Sequence, residues 1–318
     1  MAKISIITPL YNREDIVQKT IDSVLDQTFT DWEHIIVDDG STDKSWFVIA
    51  SYAEMDNRIR VFKRYKEPKG GSTCRNIGVE YATSDLIIFL DSDDILEPHC
   101  LEQRYAYMHN NPHIDLGVFP FIIEMETEDN TFIRRIVDPE VKGRDYLRRI
   151  LSFDIPWQTT APVWRKEFFL SLGGFDVEFR RFQDVELTIR ALTGKARIEV
   201  VDGCHPDYVY YLHSKFHDFD ANYSAQLHLL ELTATGFSLK YRKLLASYLR
   251  VFLVRQHQYS KQITFANYKR TKKLINEYYN HKIISLKQAA LLKLMMTLIY
   301  IAEKNRIACQ KYLKKIIK

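Results

Sequence analysis

Short apolar runs alternate with segments of helical periodicity over the first 120 residues of the chain. This alternation is typical of an α/β protein with a mainly parallel sheet. The intervening segments predict helices that open near Asn12, near Asp43 and at Gly70–Gly71. Asn12 fits the N-cap of the first helix, because its side chain can accept a hydrogen bond from a backbone NH. The predicted strands are residues 3–8, 33–37, 59–62 and 86–90.

The alternation becomes less regular beyond the fourth strand. The pattern predicts one strand over residues 116–125, and it places Trp164 just before a short helix over 166–172. From residue 223 onward glycine and proline almost vanish, which predicts a mainly helical region. The other elements predicted here are helices over 98–109, 144–151 and 184–192 and strands over 132–137, 197–201 and 208–212.

The net charge of +4 conceals a strong asymmetry between two parts of the chain. Residues 1–221 carry 26 Lys and Arg against 38 Asp and Glu, a net charge of −12, whereas residues 222–318 carry 19 against 3, a net charge of +16. We therefore expect an α/β domain over residues 1–221 and a separate basic helical region over 222–318. The basic region favours an anionic partner.

The last helix predicted in the basic region has one apolar and one basic face. Such a helix can lie on an anionic membrane surface, or it can pack on the α/β domain or on a second copy of the chain. The sequence leaves these alternatives open. The apolar positions are Leu298, Ile301, Ala302, Cys309, Tyr312, Leu313 and Ile316, and the basic positions are Lys304, Arg306, Lys311, Lys314, Lys315 and Lys318.

The composition of the chain limits the cellular compartment and the kinds of partner that we expect. The four cysteines are far apart, which favours reduced thiols in a cytoplasmic protein. No apolar stretch reaches the roughly 18–20 residues that a membrane span requires. The first residues run directly into a strand pattern, so we expect no leader peptide. The basic region lacks the interleaved aromatic residues of a nucleic-acid surface, so we predict no nucleic-acid partner.

Three carboxylates follow the fourth predicted strand within four residues. If the strand geometry continues past Leu90, Asp91 and Asp93 point the same way from the carboxyl end of the sheet. Open α/β sheets bind ligands at that edge. Two close carboxylates favour a hard cation between them, which predicts Mg²⁺ or Mn²⁺.

Other polar residues lie on the same predicted edge. Asp39 follows the second strand, where a carboxylate can accept hydrogen bonds from a base or a ribose. The paired glycines Gly70 and Gly71 precede a helix whose first turns carry Arg75 and Asn76, an arrangement suited to an anion. Together these features predict a nucleotide-diphosphate site with a bound metal.

The chain resembles the family 2 glycosyltransferases of the GT-A fold over residues 3 to about 213. The resemblance implies a mixed, mostly parallel Rossmann-like sheet flanked by helices, with 1–115 as the nucleotide-binding half, 116–221 as the acceptor half and 222–318 as a helical extension outside the resemblance. The matching segments are Ser5 to Asn12, Ile36 to Asp43, Gly70 to Gly78, Phe89 to Asp94, Gly173 to Asp176 and Gln183 to Glu186.

The resemblance also implies roles for individual residues. Asp39 is expected to contact the base, Asp93 to be the principal metal ligand, and Asp91 to lie nearer the ribose or the metal. His213 falls where such enzymes often place a late histidine that helps to bind the metal or the diphosphate. The residues predicted to contact the nucleotide-sugar are Thr8, Pro9, Tyr11, Asp39, Gly71, Arg75, Asn76, Asp91 and Ser92.

Asp184 is the catalytic base that the resemblance implies. The family usually shows Glu-Asp where this chain has Gln183–Asp184, and Glu186 is the alternative base. Arg180 and Arg181, just before the base, can meet a diphosphate or an acidic acceptor. Helical position alone would explain Asp184 as an acid favoured by the helix dipole.

The expected activity is metal-dependent transfer of one hexosyl or N-acetylhexosaminyl unit, with inversion, from a UDP-sugar to a hydroxyl group. The expected acceptor is a saccharide or lipid-linked saccharide in bacterial surface polysaccharide or glycolipid assembly, at the inner face of the plasma membrane. A sugar nucleotidyltransferase and a non-catalytic sugar-nucleotide-binding scaffold are the alternatives. The nucleotidyltransferases usually carry a glycine-rich loop after strand one, where this chain has Thr8 to Asn12.

Overall fold

The structure is a computed structural model. It describes residues 2–126, 132–139, 145–151, 154–194, 196–212, 226–231, 245–246, 249–250, 252–253 and 265–301. The strands are β1 (Ile4–Leu10), β2 (Trp32–Asp38), β3 (Ile59–Lys63), β4 (Leu86–Phe89), β5 (Ile95–Leu96), β6 (Leu116–Val118), β7 (Phe121–Glu126), β8 (Phe132–Val137), β9 (Pro162–Arg165), β10 (Ile198–Val200) and β11 (Tyr208–Leu212). The helices are α1 (Val17–Leu25), α2 (Ser45–Met55), α3 (Gly71–Tyr81), α4 (Cys100–Asn110), α5 (Tyr146–Ile150), α6 (Lys166–Ser171), α7 (Gln183–Thr193), α8 (Phe265–Asn280) and α9 (Leu286–Ile301).

The main sheet has seven strands in the order β10–β6–β9–β4–β1–β2–β3. The pairs β4–β1, β1–β2 and β2–β3 are parallel, and β9 runs antiparallel to both of its neighbours. A second, four-stranded sheet has the order β5–β11–β7–β8. The predicted class, a mixed and mostly parallel α/β sheet flanked by helices with a helical C-terminal region, is confirmed.

The centre of the main sheet is buried on both faces, as its apolar runs predict. All four residues of β4 are buried, as are all seven of β2. Helix α3 packs directly on β1. A Cβ atom added to Gly78 would lie 2.3 Å from Cγ2 of Ile7, so this close approach requires glycine.

One prediction about the main sheet is wrong. Residues 116–125 do not form one strand, because the chain leaves the main sheet at Phe119–Pro120 and enters the second sheet as β7. Proline lacks the NH that a continuous ladder would need. Trp164 lies just before helix α6, as predicted, and it belongs to β9, a strand that the pattern did not predict and that pairs with both β4 and β6.

The first helix also begins later than predicted. It starts at Val17, and Asn12 does not cap it but adopts a left-handed conformation with φ of 50°. The Asn12 side-chain oxygen accepts a hydrogen bond from the Thr42 NH at 2.8 Å, and Ser41 Oγ accepts one from the Asn12 NH at 3.0 Å. Asn12 thus joins the end of β1 to the turn that follows β2.

The chain divides into two compact units. The first comprises residues 1–144 and 155–216, and the second comprises residues 145–154 and 217–318. The first unit contains both sheets, and the second contains α5, α8 and α9. The roles expected for 1–115, 116–221 and 222–318 stay predictions. Among the helices in the described ranges, none is long and apolar enough to cross a bilayer.

Candidate active site

The acidic segment after β4 is a turn and not a continued strand. Strand β4 ends at Phe89, and the Asp94 NH donates to the Asp91 carbonyl at 3.1 Å. The prediction that strand alternation points Asp91 and Asp93 the same way is therefore wrong. The turn nevertheless keeps the three aspartates close together at the carboxyl end of the sheet. Ser92 is buried within it.

Each carboxylate of this turn has a different environment. Asp91 forms an ion pair with Arg75, and Asp93 Oδ2 lies 3.5 Å from Nη2 of Arg13. Asp94 is buried and accepts hydrogen bonds from Thr160 Oγ1 at 3.1 Å and from the Tyr211 NH at 3.4 Å. Burial, together with the nearby carboxylates of Asp91 and Asp93, raises the pKa of Asp94. The turn therefore concentrates negative charge in a small volume.

The oxygen donors of this turn fit a divalent cation whose coordination the substrate completes. In the parts of the chain that the structure describes, no cluster of three or more His, Cys, Asp or Glu side chains is arranged around a metal position. Mg²⁺ is commonly held by only one or two carboxylates together with substrate phosphates and water. Asp91 and Asp93 can supply those carboxylates, and a cation would reduce the repulsion among the three acids. His213, the other predicted ligand, lies outside the described residues.

Arg75 is almost completely buried in the first turns of α3, with 4% of its side chain exposed. One of its nitrogens pairs with Asp91, whereas Nε and Nη1 have no hydrogen-bond partner among the described residues. A Cβ atom on Gly71 would lie 3.2 Å from Nη1 of Arg75, so glycine there leaves room beside the guanidinium. Arg75 therefore holds two unused donors, which suit a phosphate oxygen.

A cavity of about 260 Å³ opens at the N-terminus of α3. Gly70, which precedes the helix, has a φ of 152° that strongly favours glycine. The helix N-terminus and two basic side chains in the wall favour a negatively charged ligand. The lining residues are Lys69, Gly70, Gly71, Ser72, Val177, Phe179, Arg180 and Gln183.

The two aspartates at the end of β2, Asp38 and Asp39, have different roles. Asp38 accepts hydrogen bonds from the NH groups of Gly40 and Ser41, each at 3.2 Å, and so holds the turn. Asp39 is buried beside the cavity wall, and its Oδ1 accepts from Arg64 Nε at 2.6 Å and from the Gly70 NH at 3.2 Å. Asp39 thus holds the backbone of Gly70, the residue that precedes α3, in place. The predicted contact of Asp39 with a base stays a prediction.

The residues predicted at the end of β1 differ in accessibility. Thr8 is buried, and its hydroxyl lies 2.9 Å from Nε2 of His34, whereas Pro9 is half-buried. Tyr11 is 43% exposed, and the Lys69 ammonium lies 3.5 Å from the centre of its ring. Of these three, Tyr11 offers the most accessible surface to a ligand. The nucleoside contacts predicted for Thr8 and Pro9, and the nucleotide-sugar contact predicted for Tyr11, stay predictions.

Asp184 lies in the first turn of α7, as predicted. Burial raises the pKa of Asp184, the Asp91 carboxylate acts in the same direction, and Arg75 opposes them. The predicted base is thus within electrostatic range of the acidic turn. Glu186 is buried and binds Arg190 through both carboxylate oxygens, at 2.5 and 2.6 Å. Its carboxylate is therefore already engaged within α7.

Helix α3 also positions the loop that leads to α7. The Asn76 amide donates to the Phe175 carbonyl at 2.8 Å and accepts from the Phe175 NH at 2.9 Å. Ser72 Oγ donates to the Phe179 carbonyl at 3.2 Å. Asn76, predicted as a ligand contact, thus has its side-chain amide engaged with backbone, and its ligand role stays a prediction. Arg75 and the two side chains that hold this loop share one helix.

Sequence reasoning missed Tyr210 on β11. Burial, followed by the carboxylates of Asp94, Asp91 and Asp184, raises the pKa of Tyr210 to about 12. Its phenol therefore lies near the acids of the turn and near the predicted base. Only the pairing of β11 with β7 and β5 brings it there, so no local sequence signal identifies it.

Comparison with known proteins agrees with this geometry. Residues 5–163 match the family model described as Glycosyl transferase family 2. Over 138 residues the chain is 34% identical to the UDP-Glc:alpha-D-GlcNAc-diphosphoundecaprenol beta-1,3-glucosyltransferase WfgD of Escherichia coli, covering 43% of this chain and 51% of that protein. The first curated relatives are matched over only 41–62% of their own length.

Solved structures share the fold at low sequence identity. The structure of S. aureus TarS 1–349 in complex with UDP-GlcNAc matches with a TM-score of 0.71 and 18% identity, covering 98% of this chain and 92% of that chain. A Pyrobaculum calidifontis mannosyltransferase, PcManGT, in complex with GDP-Man and Mn²⁺ matches with a TM-score of 0.54 and 18% identity, covering 99% of this chain and 86% of that chain. The family match over half of the chain and the GT-A fold agree, and the chain belongs to glycosyl transferase family 2.

Proposed function

We propose that the protein transfers a single sugar from a UDP-sugar to a hydroxyl group of an acceptor, with inversion and with Mn²⁺ or Mg²⁺ as cofactor. The convergence of Asp91, Arg75 and Asp184 supports this proposal most directly. Arg75 is ion-paired with Asp91 and in electrostatic contact with Asp184, so one buried guanidinium links the acidic turn to the predicted base.

In the proposed mechanism, some of the residues act on the leaving diphosphate and Asp184 acts on the acceptor hydroxyl. The free donors of Arg75 bind the diphosphate, on which negative charge develops as the sugar departs. Asp93 and Asp91 would hold the divalent cation, which when bound would supply further neutralisation of that charge. Asp184 takes the proton from the acceptor hydroxyl. At the same time the hydroxyl oxygen of the acceptor bonds to the anomeric carbon, and the bond between that carbon and the diphosphate breaks. This single displacement inverts the anomeric centre and releases UDP.

The names of related proteins support the substrate classes. WfgD is named for a UDP-sugar donor and a diphosphoundecaprenol-linked acceptor, and TarS was solved with UDP-GlcNAc. We propose the same classes here: a UDP-linked hexose or N-acetylhexosamine as donor, and a saccharide or lipid-linked saccharide of a bacterial surface polymer as acceptor. The proposed place of reaction is the cytoplasmic face of the plasma membrane.

A panel of nucleotide-sugars tests the reaction type. With Mn²⁺ present, we expect the protein to hydrolyse at least one of UDP-Glc, UDP-GlcNAc and UDP-Gal slowly to UDP and free sugar, and to hydrolyse GDP-Man less. Chelation by EDTA should abolish the hydrolysis. Formation of a nucleotide-sugar from UTP and a sugar phosphate would favour the nucleotidyltransferase. Binding of UDP without turnover of any donor would favour the non-catalytic scaffold.

The proposed base contact of Asp39 predicts a selective loss. Replacing Asp39 by asparagine should weaken UDP binding by about tenfold or more, because hydrogen bonds to a charged group contribute about 1.5–3 kcal/mol, and should not alter the affinity for the free sugar. Isothermal titration calorimetry measures both. Glu67→Gln is the matched control, because exposed Glu67 is a second carboxylate that binds Arg64, at 2.8 Å. Equal loss for nucleotide and sugar would contradict the assignment.

A further inference from the structure

Helices α8 and α9, in the described part of the C-terminal region, form a packed pair. Leu274, Ile275 and Tyr278 are buried on α8, and Leu292, Met295 and Met296 are buried on α9. The rings of Tyr268 and Tyr300 stack at 4.4 Å between centroids. These contacts account for one face of α9.

The opposite face of α9 is also apolar, although it is exposed. Leu291, Leu294 and Ile301 are 40%, 53% and 68% exposed, and their spacing of three and seven residues places them on one side of the helix. Helix α8 differs, because its exposed positions include Lys269, Lys273, Asn276 and Asn280. We call Leu291, Leu294 and Ile301 the outer stripe of α9. A helix that is apolar on two opposite sides is expected to bury both of them.

The charge around the outer stripe indicates what covers it. Residues 265–301 contain seven Lys and Arg residues and one acid, Glu277. Lys282 lies in the turn before α9, Lys287 lies in its first turn, and Lys293 lies further along it. A second copy would bring the same positive charge against this face, whereas an anionic surface would be attracted to it. The positive charge of the described residues therefore favours a negatively charged surface with an apolar interior over a second copy of the chain.

We propose that the outer stripe of α9 docks the protein on the surface of a bilayer that contains anionic lipid. Helix α9 has 16 residues, so it is about 24 Å long at 1.5 Å per residue, shorter than the hydrocarbon core. It lies in the plane of the interface, with the stripe at the acyl boundary and the lysines among the headgroups. The docking goes beyond the proposed sugar transfer and does not depend on it.

Vesicle co-sedimentation of the full-length protein tests the proposal. The wild type should bind phosphatidylcholine vesicles that contain phosphatidylglycerol and bind pure phosphatidylcholine weakly, and added salt should release it. The variant Leu291→Gln, Leu294→Gln and Ile301→Gln should lower the partition coefficient at least about tenfold, because binding scales with buried apolar area. Glutamine supports a helix nearly as well as leucine, so far-UV circular dichroism should not change.

A second triple variant supplies the matched control. Phe47, Met55 and Leu170 are 73%, 71% and 52% exposed and belong to the other unit. Replacing these three by glutamine should leave vesicle binding unchanged. Donor hydrolysis in solution should be the same for the wild type and the α9 variant, so that loss of docking is distinguished from failure of the proposed reaction.

Three results would overturn the docking proposal. The first is absence of wild-type binding to the anionic vesicles. The second is equal binding by the wild type and the α9 variant. The third is a wild-type dimer in analytical ultracentrifugation that becomes a monomer in the α9 variant, because a second copy would then cover the stripe.

Discussion

Replacing Asp184 by asparagine is expected to reduce sugar transfer by about 100- to 10,000-fold, the range that a positioned general base contributes. Asparagine keeps the size of the side chain but cannot take the acceptor proton. UDP affinity should change little, because the proposed role of Asp184 concerns the acceptor and not the nucleotide. Steady-state kinetics and calorimetry of UDP binding measure the two effects separately.

Glu186→Gln is the matched control for that substitution. Both carboxylate oxygens of Glu186 bind Arg190, so this variant should lose stability more than catalysis. A shift in Tm with a nearly unchanged kcat is expected. The reverse pattern, an active Asp184→Asn protein and a folded but inactive Glu186→Gln protein, would identify Glu186 as the base.

The same base predicts how the rate depends on pH. Burial raises the pKa of Asp184, and a general base works only when deprotonated. The rate of the wild type should therefore fall as pH decreases through a value above the ordinary aspartate pKa of about 3.9. A pH profile of kcat should show this acidic limb in the wild type, and the residual activity of Asp184→Asn should lack it.

Asp93→Asn is the second substitution with a large expected effect. Asparagine keeps one oxygen donor but loses the negative charge. Metal-stimulated UDP binding should therefore weaken by about 100-fold or more, because loss of a residue that only supports a metal ligand already costs about 10- to 100-fold. Calorimetry of UDP with Mn²⁺ and with EDTA measures the metal-dependent part. Only the titration with Mn²⁺ should change.

Asp56→Asn is a suitable control for Asp93→Asn. Asp56 pairs with Arg58 at 2.7 Å, so it is also an aspartate bound by an arginine, and it belongs neither to the acidic turn nor to the cavity wall. This variant should keep the metal effect. Unchanged UDP affinity of Asp93→Asn in Mn²⁺ would reject the proposed metal role.

Much of the fold follows from local patterns. Strand β4 is a continuous apolar run, β1 and β2 contain the shorter apolar runs Ile6–Ile7 and Ile35–Val37, and Gly70–Gly71 marks the start of α3. These signals suffice because a strand buried on both faces is mostly apolar, and because the backbone before α3 favours glycine. The grouping of acidic and glycine-rich segments at one sheet edge also follows, since parallel strands end on the same side.

The rest depends on long-range pairing. Strand β9 has four residues, too few for a pattern, and its place between β4 and β6 is set by partners far away in sequence. Asn76 looks like a ligand contact until its partner Phe175 is known. Tyr210 and the buried environment of Asp94 likewise arise from β11, which local periodicity does not relate to the acidic turn.

The position of β9 also has a consequence for synthesis of the chain. When the ribosome has released only residues 1–115, Leu86 to Ile88 of β4 still lack their partners on β9. Strand edges left open in this way readily pair with other chains. Residues 1–115 therefore cannot complete their part of the sheet until Arg165 has emerged, and truncation of the chain between residues 115 and 165 should yield aggregates.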